Sequence, residues 1–318
     1  VVGRFNATTF EQLFEQTKSL PWETIIDKDG SFPVQGKSVK STLYSVPDCQ
    51  AITKKAIVER LKYAYQESGW LNETGAKFPV EVSILKDNVL LTIDTSGSGL
   101  NKRGYRLAQG EAPIKETLAA SLIKLANWTG QTPLIDPFCG SGTIAIEACL
   151  IAQNIAPGFN REFVSEAWHI IPEDLYEKLR NEADQQADYD KEVEVYAYDI
   201  DPDMIEIAKR NAAEVGLSDI IQFEVKDVNT LTIHREEPMA LIGNPPYGER
   251  IGDREEVETM YRYIGKLMAQ HPFLSTYILT SNKEFEFLAN RKATKRRKLF
   301  NGYIECNYYQ YWGKKPQY

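Results

Sequence analysis

An alternation of strand and helix patterns from about residue 113 onward limits the fold more than any other feature of this sequence. Short apolar runs alternate with segments whose apolar residues have helical spacing, which is typical of a parallel sheet covered by helices. The pair Asn301-Gly302, between two further strand-like runs, predicts an antiparallel hairpin at the end. The predicted strands span residues 133–136, 193–199, 220–225, 240–243 and 276–280.

The segment after the first predicted strand, residues 136–143, has the composition of a ligand-binding turn. Gly140 and Gly142 allow a tight turn and a close approach of a ligand to the backbone, and the next helix supplies free N–H donors. The glycine spacing is not that of a dinucleotide turn, and no lysine follows as in a phosphate-binding P-loop. A plain strand–helix turn is the alternative. The candidate cofactor contacts here are Asp136, Phe138, Gly140 and Gly142.

Acidic residues lie at the end of the second predicted strand and two residues after the end of the third. Asp199 suits a ribose diol, whereas Asp201 precedes Pro202 and a helix, so its expected role is to cap that helix. Asp227 could accept a hydrogen bond from an adenine amino group, or it could be an ordinary surface acid after a strand. We also count two apolar neighbours of these acids, Ile200 and Val228, among the candidate cofactor contacts.

The tetrapeptide Asn244-Pro245-Pro246-Tyr247 follows a buried-strand pattern at residues 238–243. We therefore expect it at the carboxyl end of a parallel strand, where such sheets bind ligands. The two prolines remove backbone donors and fix a stiff turn whose carbonyls and Asn244 amide face outward. Such a turn suits a planar base with an exocyclic amine. An ordinary strand-ending turn is the alternative.

Residues 1–100 predict a separate and smaller α+β domain that contains no nucleophile, acid–base pair or metal cluster. We interpret it as a binding module. Residues 101–112 are the predicted linker, and residues 113–318 are the second domain. Between the first two strands of that domain lie about twice the residues that a crossover needs, so residues 154–191 are a predicted insertion.

The net charge of -8 is unevenly distributed and excludes a uniformly basic chain. Residues 1–115 carry 15 basic and 13 acidic residues, whereas residues 116–318 carry 22 and 32. Any contact with a polyanion must therefore be local. Two basic clusters could provide it, although a solvated hinge and a solvated loop are the alternatives. Their candidate contacts are Lys102, Arg103, Arg106, Lys295, Arg296 and Arg297.

No apolar run is long enough to cross a membrane, and no signal-peptide pattern is present. The four cysteines have no paired metal-ligand spacing. We therefore expect a cytoplasmic protein without a membrane partner or a bound metal. The sequence does not indicate an oligomeric state.

Together these segments resemble the class I S-adenosylmethionine-dependent methyltransferases, in the amino-methylating branch marked by Asn-Pro-Pro-Tyr. Residues 1–100, with the segments 46–50 and 54–58, look like a THUMP RNA-binding domain. Residues 102–106, 113–116 and 136–143 are similar to the bacterial THUMP-containing 23S ribosomal RNA guanine-N2 methyltransferases. That family has a ferredoxin-like segment ahead of its THUMP core, and we expect Val1 to lie inside or after it.

The resemblance implies a Rossmann-like methyltransferase domain with a terminal antiparallel hairpin, preceded by the α+β THUMP-like domain. It also implies S-adenosylmethionine as the cofactor and RNA, ribosomal RNA first, as the partner. Asn244 and the Pro245 carbonyl would accept the hydrogens of the amine, while Tyr247 would stack on a base turned out of its helix.

Four other functions remain open at this stage. A transfer RNA guanine-N2 enzyme or a DNA adenine-N6 enzyme would share Asn-Pro-Pro-Tyr, although the THUMP-like half disfavours DNA. A non-catalytic RNA-binding protein with a degenerate domain is disfavoured because the site residues are all present. The glycine spacing disfavours a NAD-dependent oxidoreductase.

Overall fold

The computed structural model describes residues 1–107, 113–247 and 253–315, so residues 108–112 of the predicted linker lie outside it. The chain divides into two compact units. The first comprises Val1–Gly99 and Glu162–Leu179, and the second comprises Leu100–Arg161 and Arg180–Tyr318. Part of the segment that we predicted as an insertion in the second domain therefore belongs to the first unit.

The first unit contains a four-stranded sheet in the order β1-β4-β3-β2, in which only β2 and β3 are parallel. Val80, Val82 and Ile84 alternate along β3 and are buried, as expected for a strand with one face against the core. The elements are β1 (Gly3–Asn6), α1 (Phe10–Lys18), β2 (Val34–Val39), α2 (Val46–Tyr65), β3 (Val80–Leu85) and β4 (Asn88–Ile93).

The segment Glu162–Leu179 completes the core of this unit. The buried indole of Trp168 stacks on Phe78 with ring centroids 4.9 Å apart, and its Nε1 donates to the Lys77 carbonyl at 2.9 Å. Ser165 Oγ donates to the Thr95 carbonyl at 2.9 Å. The later segment is thus held by both apolar and polar contacts, and the structure gives it a role that the sequence pattern did not suggest.

The second unit contains a seven-stranded sheet in the order β10-β11-β9-β8-β5-β6-β7. The five strands from β5 to β9 are parallel to one another, whereas β11 is antiparallel to both β9 and β10. The strands are β5 (Leu134–Asp136), β6 (Val195–Asp199), β7 (Ile221–Val225), β8 (Met239–Gly243), β9 (Leu274–Thr280), β10 (Lys295–Asn301) and β11 (Ile304–Tyr311). The helices of this unit are α3 (Glu116–Leu125), α4 (Thr143–Ala152), α6 (Pro202–Ala213), α7 (Asp253–Gln270) and α8 (Phe285–Leu288), whereas α5 (Leu175–Gln185) begins in the first unit and ends in the second.

The central strands β5 and β8 are buried along their whole length, because helices cover both faces of the sheet. Residues of α3, α4 and α6 share one apolar cluster, and residues of α7 and α8 share the other. This architecture confirms the predicted α/β fold class. No helix in the described ranges has the length and apolarity needed to cross a bilayer.

The order of the strands decides where a ligand can bind. The chain passes from β5 outward to β6 and β7, and then returns to the other side of β5 with β8. Such a reversal opens a crevice outside the carboxyl ends of the strands.

The terminal hairpin turns at Gly302 and Tyr303, with Gly302 at φ +63°, one residue later than the predicted Asn301-Gly302 pair.

Candidate functional site

The glycine turn after β5 folds back on the neighbouring strand through backbone hydrogen bonds. The Cys139 N–H donates to the Tyr198 carbonyl at 2.8 Å, and the Gly142 N–H donates to the Cys139 carbonyl at 2.8 Å. Gly140 and Gly142 have φ of +51° and +83°, a region that favours glycine. The turn therefore needs both glycines to connect β5 to α4.

The space around Gly140 is open, whereas the space around Gly142 is filled by a neighbouring helix. A Cβ added at Gly140 would meet no atom within 4 Å, whereas one added at Gly142 would lie 3.1 Å from the Cβ of Ala208 on α6. Gly140 therefore faces open space in which a ligand can approach the backbone. Gly142 instead allows α4 and α6 to pack closely.

Asp136 lies below this turn and is fully buried. Its Oδ1 accepts a hydrogen bond from the Phe138 N–H at 3.2 Å, while its Oδ2 has no hydrogen-bond partner among the described residues. Burial raises the pKa of this carboxyl to about 8, with a further contribution from the charge of Asp199 and an opposing one from the Phe138 amide. The side chain therefore holds a proton at neutral pH.

Asp199 links the end of β6 to the glycine turn. Its Oδ2 accepts from the Gly140 N–H at 2.9 Å and its Oδ1 accepts from the Asp201 N–H at 3.0 Å. Each carboxylate oxygen has a second lone pair, so this group can still accept from two hydroxyls of a ligand. Asp201 caps α6 by accepting from the Asp203 N–H at 2.8 Å, which confirms its predicted role. Ile200, between the two acids, is exposed.

Asp227 and Val228 follow β7 at the same edge of the sheet. Asp227 Oδ1 accepts from the Asn229 N–H at 2.9 Å and thereby caps a short 3-10 turn. Val228, the first residue of that turn, is buried. The second carboxylate oxygen of Asp227 has no hydrogen bond within the described parts of the chain, so it can receive a donor from a ligand.

The Asn-Pro-Pro-Tyr turn after β8 is held by three side-chain hydrogen bonds. The Tyr247 hydroxyl donates to Asn244 Oδ1 at 2.7 Å and accepts from Asn301 Nδ2 at 3.2 Å. The Tyr261 hydroxyl donates to the Pro246 carbonyl at 3.1 Å. Burial raises the pKa of Tyr247, so its hydroxyl keeps the proton that it donates. The Asn244 amide is thus fixed in place before any substrate arrives.

Sequence reasoning missed Asn301 and Tyr261, which lie 54 and 15 residues from their partners in the turn. The hairpin pattern located Asn301 but gave no sign of its contact. For Tyr247, the structure adds an orienting role to the predicted stacking on a base, since its hydroxyl holds the Asn244 side chain.

The two halves of the site lie side by side at the crevice. A Cβ added at Gly243, the last residue of β8, would lie only 3.0 Å from Cδ2 of Phe138 in the glycine turn. Phe138 therefore abuts the backbone immediately before Asn244. The turn after β5, the ends of β6 and β7, and Asn244 consequently border one crevice.

The predicted basic contacts fall into two groups. Arg103 and Arg106 have side chains that are 12% and 14% exposed, with their Nε atoms 3.4 Å and 3.0 Å from carboxylate oxygens of Glu147 and Glu116. The structure thus favours a role for both in pairing buried acids rather than in contacting a polyanion. Lys102 is exposed.

The other three predicted basic contacts, Lys295, Arg296 and Arg297, lie on β10 at the edge of the sheet. Lys295 and Arg296 are exposed, and Arg297 is half-buried. In the described part of the chain, no three His, Cys, Asp or Glu side chains are grouped to hold a metal ion.

Two family descriptions match this chain. "RMKL-like, methyltransferase domain" matches residues 103–310, and "THUMP domain" matches residues 7–94. YpsC of Bacillus subtilis (strain 168) is 56% identical over 318 residues, which cover 99% of this chain and 82% of that protein. "Ribosomal RNA large subunit methyltransferase K/L" of Psychromonas ingrahamii (strain DSM 17664 / CCUG 51855 / 37) is 35% identical over 312 residues, which cover 96% of this chain but 41% of that protein. The chain thus spans less than half the length of this K/L relative.

Solved structures share the whole fold. A crystal structure described as that of a predicted N6-adenine-specific DNA methylase, from Listeria monocytogenes str. 4b F2365, has a TM-score of 0.94 and 56% identity, covering 99% of this chain and 81% of that one. The structure of SMU.472, complexed with SAH, has a TM-score of 0.93 and 45% identity, covering 100% and 84%.

The residues of this crevice fit S-adenosylmethionine, because Gly140 leaves room for a ligand and the carboxylates of Asp199 and Asp227 offer acceptors. S-adenosylmethionine is therefore the cofactor. The chain belongs to the RMKL-like methyltransferase family, and it combines that domain with a THUMP domain.

Proposed function

We propose that this enzyme transfers a methyl group from S-adenosylmethionine to the exocyclic N2 of a guanine in RNA, with 23S ribosomal RNA as the first candidate substrate. The observation that carries this proposal is the fixed Asn244 amide beside the cofactor crevice. The THUMP domain and the name of the K/L relatives support RNA as the substrate. The proposed location is the cytoplasm.

The chemistry needs positioning more than acid–base groups. Bound S-adenosylmethionine supplies an electrophilic methyl group on a sulfonium, and the amine must approach it in line. Tyr247 occupies one lone pair of Asn244 Oδ1, so a second one remains to accept a hydrogen of the amine. The Pro245 carbonyl would accept the other hydrogen. Both contacts strengthen as positive charge develops on the nitrogen.

The geometry also explains why the turn must be rigid. An acceptor that moves must be reoriented during the reaction, whereas a fixed one stabilises the developing charge at no such cost. Tyr261 and Tyr247 hold the turn through Pro246 and Asn244, respectively. We propose that the Tyr247 ring borders the flipped base while its hydroxyl orients the amide.

The test of this mechanism is Asn244→Ala. Loss of one fixed acceptor should lower kcat by about 100-fold or more, while calorimetry should find nearly unchanged affinity for S-adenosylmethionine. Tyr247→Phe keeps the ring and removes only the hydroxyl that orients Asn244, so it should lower kcat less. An Asn244→Ala enzyme with unchanged turnover would contradict the assignment.

The substrate is tested by product analysis. The full chain is incubated with methyl-labelled S-adenosylmethionine and, separately, with ribosomal RNA, transfer RNA and DNA, and the labelled nucleoside is identified. We expect N2-methylguanosine in ribosomal RNA. Label on N6 of adenine in DNA would favour the activity named for the Listeria structure, and no label in any substrate would favour a non-catalytic RNA-binding protein.

A further inference from the structure

The terminal hairpin extends past the carboxyl edge of the sheet on which the site lies. Thr280, the last residue of β9, pairs with Asn307 of β11, so residues 299–306 continue beyond the last pair with β9. Because β8 and β9 are parallel, this is also the edge at which Asn244 follows β8. We call residues 299–306 the protruding hairpin end.

The protruding hairpin end touches the catalytic turn directly. Asn301 Nδ2 donates to the Tyr247 hydroxyl at 3.2 Å, and that hydroxyl donates to Asn244. Two side-chain hydrogen bonds therefore separate the hairpin from the proposed acceptor of the amine. A nucleotide bound on the hairpin would be a neighbour of the target base.

The exposed residues of the hairpin include aromatic and basic side chains, beside Ile304 and Glu305. Tyr303 at its tip is fully exposed, and Phe300 is 55% exposed. The strand β10 contains four basic residues in seven and no acid. Lys298 lies 5.5 Å from the centre of the Phe300 ring and 2.5 Å from Glu305, and both members of that ion pair are more than half exposed. Such an exposed pair contributes little, so a phosphate can replace the carboxylate.

A purely structural account explains only part of this composition. Lysine and arginine on an edge strand prevent pairing with other chains. This explains the charges of β10 but not two exposed aromatic rings at its protruding end. Aromatic rings beside cationic side chains, in contrast, are the usual means of binding unpaired nucleotides: the rings stack on bases and the cations contact phosphates.

We propose that the protruding hairpin end and the adjoining Lys298 bind the single-stranded RNA next to the target base, with Phe300 and Tyr303 stacking on bases and Lys298 contacting a phosphate. The inference rests on the proposed function for its substrate class. The sign of the charge favours this occupant, because β10 is a basic segment in a chain of net charge -8.

The test compares the double variant Phe300→Ala/Tyr303→Ala with Trp312→Ala. Trp312 is a half-exposed aromatic residue just after β11, at the opposite end of the same hairpin, and is therefore a matched control. The probe is a single-stranded RNA of about 12 nucleotides, a length in the range of such sites. A duplex of the same sequence serves as the second probe.

We expect the double variant to raise the Kd for the single strand roughly 30-fold or more, since stacking is worth about 1–3 kcal/mol per base and two stacking rings are lost. Trp312→Ala should leave this Kd within about twofold of the wild-type value, and all variants should bind S-adenosylmethionine normally. Glu305→Gln should tighten RNA binding, because it removes a negative charge and releases Lys298.

An unchanged Kd in the double variant, an equal loss in Trp312→Ala, or an equal loss for the duplex would overturn the proposal. Its failure is distinguishable from failure of the proposed function. A wild-type enzyme that methylates RNA, together with a double variant that binds RNA normally, would refute the hairpin inference alone. A wild-type enzyme that methylates no RNA would refute the proposed function alone, because the Kd is measured without turnover.

Discussion

Replacing Asp136 by Asn should remove a large part of the pH dependence of folding stability. The folded protein keeps a proton on this buried carboxyl up to about pH 8. In the unfolded chain an aspartate has a pKa of about 4, so it is ionised above that value. Between about pH 5 and pH 7 the folded state therefore binds one more proton than the unfolded state, and stability falls as pH rises.

The size of this effect follows from the proton difference. One extra proton in the folded state changes the free energy of unfolding by about 1.4 kcal/mol per pH unit, or about 3 kcal/mol from pH 5 to pH 7. Asp136→Asn has no proton to lose at this position. From pH 5 to pH 7 the free energy of unfolding of the variant should therefore fall by about 3 kcal/mol less than that of the wild type. This difference holds whatever the substitution itself costs in stability.

The assay is urea unfolding of the full chain without cofactor, at several pH values, for the wild type and the variant. Because two units need not unfold together, hydrogen exchange of the β5 and β8 amides should report the second unit separately. The quantity compared is the slope of stability against pH. Equal slopes in the two proteins would show that the carboxyl is ionised in the folded state, and the reasoning would fail.

Two further pairs of variants separate binding from folding. Gly140→Ala should weaken S-adenosylmethionine binding with a cost in stability of about 1 kcal/mol, because the methyl group enters open space. Gly142→Ala should lower the melting temperature more, since its Cβ would press on Ala208; the opposite order would contradict the assignment of the two glycines. Asp199→Ala should weaken cofactor binding about 10-fold or more through two lost hydrogen bonds. Asp201→Ala should instead cost about 1 kcal/mol of stability as a lost helix cap, and calorimetry showing equal cofactor affinity for Asp199→Ala and wild type would reject the ribose role.

The ends of the parallel strands could be predicted from sequence alone. All five predicted carboxyl ends coincide with the observed ones, at Asp136, Asp199, Val225, Gly243 and Thr280. At three of them a proline or glycine turn, or a capped helix start, follows within a few residues and ends the extended pattern. Since the candidate site lies at these ends, its backbone frame was also predictable.

The long-range pairing of side chains was not predictable. Arg103 and Arg106 lie in a basic segment that is typical of a phosphate-binding site, but each pairs with a buried glutamate. Glu147 is 44 residues from Arg103, so no pattern of neighbouring residues predicts their contact. The same holds for Asn301 and the Asn-Pro-Pro-Tyr turn. Local patterns report neighbours in the chain, whereas these contacts depend on the completed sheet.

The position of Trp168 has a consequence for how the protein is made. A chain emerging from the ribosome presents residues 1–99 long before residue 168. The first unit must therefore wait, with the surface of Phe78 uncovered, until most of the first half of the second unit has also been synthesised. Synthesis from the amino terminus therefore cannot complete the first unit before it has begun the second. When the first unit can close its core, residues 100–161 of the second unit have thus already been made, and β5 still lacks both of its partner strands.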